Sequence, residues 1–207
     1  MPGRMNAKPK PLTSRGAATK LRIVEAAADL VYANGAGRMS LDEVMAASGT
    51  SKSQLYHYFA DKDALVREVI ELQTRRILQT NATHLECLDS FQALRAWGDM
   101  VVAANRAGGG SGGCPIGSLA NELATQSEAA RKRLVESFEA WHSIIEAGLN
   151  RMKAQGQLIA SADTQAISVA VLAAVQGGIL LAKTTRTSKP LELAIDMALD
   201  HIARHAA

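Results

Sequence analysis

The chain has 207 residues, 47% of them hydrophobic, with a formal net charge of +3. That length accommodates one ordinary core, or a small domain beside a larger one. Abundant Ala, Leu and Val, with few aromatics and little β-branched alternation, favour helices over strands, so an all-α protein is expected. The two cysteines, Cys87 and Cys114, are too far apart for a CxxC redox or zinc pattern.

The charge is unevenly spread. Residues 1–62 carry nine Lys/Arg against five Asp/Glu, and the remainder fourteen against fifteen. A basic front on a near-neutral bulk suggests a polyanion partner, although a solubilising tail would leave the same imbalance. The segment MPGRMNAKPKPLTSRGAAT has no apolar h-region, so it reads as a disordered basic arm instead of a targeting peptide. The cytosol is the default compartment.

In chain order, residues 17–34 place Ile23, Ala27, Leu30 and Val31 on one helical stripe that can end at Asn34 and Gly35. Ser40 followed by Glu43 is a capping box, so a second helix should run over Leu41–Ser48, with Gly49 in the turn behind it. Ser51 with Gln54 repeats the box and predicts a third helix from Lys52 to about Phe59. Asp61 is an N-cap for a long fourth helix through residue 79. Further helices are expected at about 90–106, 115–125, 128–154, 163–185 and 190–205. The glycine-dense RAGGGSGGCPIG reads as a mobile surface connection. Residues 166–182 approach the minimum membrane-spanning length but carry Ser168, Gln176 and two glycines, so a buried or interface helix is the expectation.

Helices two and three, joined by a tight turn, form a helix-turn-helix candidate. At about 100° per residue, Leu55 and Phe59 share one face of helix three, while Ser53, Tyr56 and His57 point away from it. The exposed side holds what a DNA groove requires. Lys52 can neutralise phosphate, Ser53 and Gln54 can bond base edges, and Tyr56 and His57 can lean on the backbone. Ser40 and Lys62, at the starts of helices two and four, offer further phosphate contacts. An ordinary amphipathic turn at a bundle surface would carry the same pattern.

The stretch ATKLRIVEAAADLVYANGAGRMSLDEVMAASGTSKSQLYHYFADKDALVREVI resembles the DNA-binding domain of the TetR (tetracycline repressor-like) transcription regulators. It covers about a quarter of the chain without a gap. Its most specific parts are ASGTSKSQLYHYF, DKDAL and the G-x-x-S/T lead-in from Gly37 to Ser40. Carried over by position, the family's DNA contacts fall on Ser40, Lys52, Ser53, Gln54, Tyr56, His57 and Lys62. Thr50 stands where the family usually has an apolar residue, which implies looser packing at the turn.

The resemblance implies about nine helices: a three-helix helix-turn-helix domain over residues 17–63 behind the arm 1–16, and a C-terminal helical bundle over 64–207. It also implies a homodimer and a small-molecule effector of unknown identity. The last two helices are the dimer candidates, with Gly177 and Gly178 permitting close approach; burial inside one subunit explains the same composition. An effector pocket is sought at Trp97, Met100, Phe138, Trp141 and His142, residues that core packing also accounts for. The segment GGCPIGSLANEL resembles one branch of TetR C-terminal domains. Its Cys114 has two readings: a thiol of lowered pKa sensing oxidants or electrophiles, or a small buried hydrophobe.

No catalytic motif, cofactor or metal is expected. The glycine run lacks the Lys-Ser/Thr ending of a phosphate loop. His142 has no second ligand at useful helical spacing. The competing readings are an enzyme and a helical scaffold that has lost DNA binding. The latter has no use for Lys52, Gln54 and Lys62 together.

Overall fold

A computed structural model describes residues 12–110 and 112–207. Among them are nine helices: α1 (Ser14–Asn34), α2 (Leu41–Ser48), α3 (Lys52–Tyr58), α4 (Lys62–Leu85), α5 (Phe91–Ala107), α6 (Pro115–Leu123), α7 (Glu128–Ala154), α8 (Thr164–Thr185) and α9 (Lys189–Ala203). The described residues up to Val69 form one compact unit and Ile70–Ala207 a second.

In the first unit each helix boundary has a local cause. The Thr13 hydroxyl accepts from the Gly16 N–H, which starts α1 at Ser14, three residues before the position expected from periodicity. Ser14–Gly16 are therefore helical, and residues 1–11 of the expected arm lie outside the described residues. Gly35, at φ 86°, closes the helix with its N–H on the Val31 carbonyl. Gly49 takes the left-handed conformation that ends α2, where a side chain would be strained. The Asp61 carboxylate caps α4 by accepting from the Ala64 N–H at 2.7 Å. These ends aim Ile23, Ala27, Val44, Leu55, Phe59, Leu65 and Val69 into one core.

The turn between α2 and α3 is tightly tied. Arg22 of α1 donates from Nε to the Ser48 carbonyl at 2.9 Å. Thr50 is buried, and its hydroxyl pairs with that of Ser48 at 2.7 Å. The looser packing expected at Thr50 is thus absent: the paired hydroxyls satisfy each other where an apolar side chain would have packed.

In the second unit α8 packs against α7 and α9. Gly178 permits the close approach, since a Cβ there would lie 2.9 Å from the Leu191 Cα and the Ala194 Cβ of α9. The α5 helix reaches α9 in the same way, with the Gly98 position 2.7 Å from an Ile195 methyl. The glycine-rich segment after α5 is not wholly a surface connection. Gly110, at φ 72°, is buried against the Thr187 backbone nitrogen, at a site that a Cβ would overlap; Ser111 lies outside the described residues.

Candidate nucleic-acid interface and C-terminal cavities

The two capping boxes build the candidate reading face. Ser51 begins α3: its hydroxyl accepts from the Gln54 N–H at 3.2 Å, and Gln54 Oε1 accepts from the Ser51 N–H at 2.9 Å. Leu55 and Phe59 then turn inward and are almost fully buried. Lys52, Ser53, Gln54, Tyr56 and His57 stay exposed on the opposite side. His57 stacks edge-on against Tyr58, with ring centroids 4.8 Å apart, and Lys20 Nζ lies 5.8 Å from the Phe59 ring centroid. The aromatic cluster is therefore divided: Phe59 anchors the helix and Tyr56 faces solvent.

Two of the flanking groups carry internal partners as well. The Ser40 hydroxyl accepts from the Glu43 N–H at 3.2 Å and donates to the Glu43 carboxylate at 2.7 Å. Hydrogen bonds from the Ser40 hydroxyl and then its backbone N–H hold the Glu43 carboxyl below its usual pKa. Lys62 donates to the Gly37 carbonyl at 3.0 Å, joining the start of α4 to the segment before α2.

Two neighbouring cavities lie in the second unit. The larger, about 350 Å³, is lined in part by Arg76, Met100, Val101, Asn105 and Trp141. The smaller, about 240 Å³, involves Ser118, Phe138, Gln176 and Lys183. Gly113, Cys114 and Ile179 line both. Of the five residues sought for an effector pocket, Met100 and Trp141 meet at the first cavity and Phe138 borders the second. Trp97 and His142 line neither. Trp97 is packed in the core one helical turn before Met100, and His142 is rotated by about 100° from Trp141 on α7.

Asn105 and Gln176 were not anticipated. Each is a polar residue placed among the inward-facing apolar positions of its helix, and that placement is the signal that sequence carries. Cys114 admits two readings, as a reactive thiol or as a small buried hydrophobe. It is buried at the N-cap of α6, where its sulfur accepts from the Gly117 N–H at 3.4 Å. Burial pushes the thiol pKa up, outweighing the hydrogen bonds from Gly117, Gln176 and Ile116. These surroundings favour the buried, non-reactive reading of the thiol, with the sulfur serving as a helix cap.

Helix α8 is long and apolar enough to cross a membrane, by length and composition only. Its inner face, including Ile167, Val171, Val175 and Ala182, is buried. Its outer face exposes Val169, Gly177, Leu180 and Leu181, and α9 adds Leu193 and Met197, the last 61% exposed. A Cβ at Gly177 would meet nothing within 4 Å.

Comparison with known proteins agrees with both units. Residues 23–69 match the family of bacterial regulatory proteins described as the tetR family. Residues 90–197 match the C-terminal domain of LmrA/YxaF-like transcriptional regulators. The HTH-type transcriptional regulator LmrA of Bacillus subtilis is 28% identical over 172 residues, covering 82% of this chain and 89% of its own. The HTH-type transcriptional repressor DhaR of a Mycobacterium species is 24% identical over 170 residues, covering 82% and 85%. A TetR-family regulator from Cytophaga hutchinsonii has the same fold, with a TM-score of 0.82 at 20% identity over 96% of this chain and 99% of its own.

Proposed function

Because the chain belongs to the TetR family of DNA-binding transcriptional regulators, we propose that it is a repressor, relieved by a small effector, that binds a palindromic operator as a homodimer in the cytoplasm. The observation carrying the proposal is the exposed Lys52, Ser53, Gln54, Tyr56 and His57 face of a helix whose opposite side is locked into the core. Residues 17–63 serve as the DNA-reading head and residues 64–207 as the effector and dimerisation domain.

In this reading Lys52 and Lys62 neutralise phosphates, Tyr56 and His57 lean on the backbone, and Ser53 and Gln54 face base edges. Ser40 acts mainly through the start of α2, since its hydroxyl is shared with Glu43. Gln54 Oε1 is held by the Ser51 N–H, which leaves the amide N–H groups of Nε2 for DNA. Such a group donates only, so it suits the guanine N7 and O6, adenine N7 or thymine O4 acceptors of the major groove.

The exposed apolar side of α8 and α9 supports the homodimer, because two such faces meeting across a twofold axis cover each other in a four-helix interface. The cavities support an effector, with Met100, Trp141 and Phe138 as lining residues. The GGCPIGSLANEL segment, which contributes Cys114 to both cavities, is taken as the mark of one branch of these domains. Repression is the sign named for the DhaR relative. Selection of binding sites from random duplexes by the purified protein tests the proposal. A palindrome with half-sites spaced by about one helical turn, or a multiple of it, is expected. Enrichment of no sequence, or of a single unpaired half-site, would refute it.

A further inference from the structure

We propose that the larger C-terminal cavity recognises an uncharged, largely apolar molecule through one hydroxyl group, which accepts a hydrogen bond from Trp141 Nε1 and donates one to Asn105 Oδ1. This deepens the effector reading above and rests on it. The cavity, at about 350 Å³, lies within the size range of about 300–1,000 Å³ typical of small-molecule sites. Its walls include Ile77, Met100, Val101, Ala104, Ile179 and Leu191, which favour a hydrocarbon body.

The polar side chains of Arg76, Thr80, Asn81, Asn105 and Trp141 interrupt that apolar lining, and of these Asn105, 9% exposed, and Trp141, 6% exposed, are more than nine-tenths buried. The amide orientation of Asn105 follows from its surroundings. Its Nδ2 donates to the Gly112 carbonyl at 3.3 Å; the reversed amide would set two oxygens against each other. Oδ1 is then the end left without a partner, and Trp141 Nε1 is likewise buried without an acceptor. Among the residues that line the cavity, one thus carries an acceptor lacking a donor and another a donor lacking an acceptor.

The chemistry of that pair selects among ligands. A carboxylate accepts but does not donate, and an ammonium group donates but does not accept. A hydroxyl does both from a single atom. Arg76, the one residue with a guanidinium or ammonium group among the described residues of the wall, is not free but has an interaction within the protein, which weakens the inducement for an anion. Neutral hydroxylated molecules are therefore favoured over both charged classes.

Calorimetric titration of the full chain with a naphthalene series tests this. 2-Naphthol should bind about tenfold or more tightly than 2-methoxynaphthalene, which accepts without donating, and 2-naphthoate should bind more weakly still. Asn105→Leu and Trp141→Phe should each reduce the naphthol preference to under about threefold, with thermal melting used to confirm that the variants fold. The wild-type ligand series stands as a test even if a variant does not fold. Absence of naphthol binding, equal affinities across the series, or a preference surviving both substitutions overturns the inference. Equal affinities would arise if a trapped water satisfied both groups. If naphthol is preferred but leaves operator affinity unchanged, the recognition stands and ligand relief is what fails.

Discussion

Under the proposed function, Lys52 isolates the electrostatic part of DNA binding, because it is exposed at the start of α3 and has no ion-pair partner among the described residues. Lys52→Ala should therefore leave folding unchanged and remove one phosphate contact from each head. On duplex DNA each neutralised phosphate contributes a slope of about −0.9 to the logarithm of affinity against the logarithm of salt. Two heads lose about 1.8 from that slope. Between about 50 and 200 mM salt, a fourfold change, wild-type binding should then weaken about twelvefold more than binding by the variant. Fluorescence anisotropy on the selected operator across that range measures both slopes. Lys62→Ala should lower the slope similarly, and should also loosen the segment at Gly37 to which its ammonium group is tied. An unchanged slope for Lys52→Ala would refute the placement of α3 against the phosphate backbone.

In the C-terminal unit, Leu181→Glu combined with Met197→Glu puts charge on the exposed apolar side of α8 and α9, and sedimentation should show a dimer becoming a monomer of unchanged helicity. If the double variant remains a dimer, the interface lies elsewhere. Gly178→Ala forces a methyl to within 2.9 Å of α9 and should cost about 1–3 kcal/mol in thermal melts. Gly177→Ala meets no atom within 4 Å and should be neutral, or stabilising by up to about 1 kcal/mol, in the monomer. Equal melting of the two would contradict the close contact of α8 with α9. Alkylation at neutral pH should label exposed Cys87 well ahead of buried Cys114, by about tenfold or more, because a raised pKa leaves less thiolate at that pH. Equal labelling rates, followed by mass spectrometry, would count against the buried thiol.

Three of the helix starts were legible because a cap is a local event. Ser40 with Glu43, Ser51 with Gln54, and Asp61 each satisfy free N–H groups within one turn, and all three were readable from spacing alone. The end of α4 was not. Residues 80–85 contain no glycine or proline to stop the helix, which runs six residues past the expected limit at 79. The faces of α3 followed from periodicity, since Leu55 and Phe59 lie one turn apart. The C-terminal site was harder to read. Trp97, Val101 and Ala104 share one side of α5, yet Trp97 fills the core while the other two border a void. Periodicity identifies the inward side of a helix but not the depth at which neighbouring helices leave space. For Cys114, position near a helix start suggested a lowered pKa, and tertiary burial reversed the sign.

If Gln54 reads bases as proposed, its bond to the Ser51 backbone makes one residue both the lock on its helix and the reader of its target. Its rotamer is settled before any operator arrives, so little freedom is surrendered on docking. The same economy restricts evolutionary drift. A lineage that exchanged this glutamine for arginine to acquire a new target letter would also fray the helix that presents it, so a change of preference must bring its own repair at the neighbouring turn.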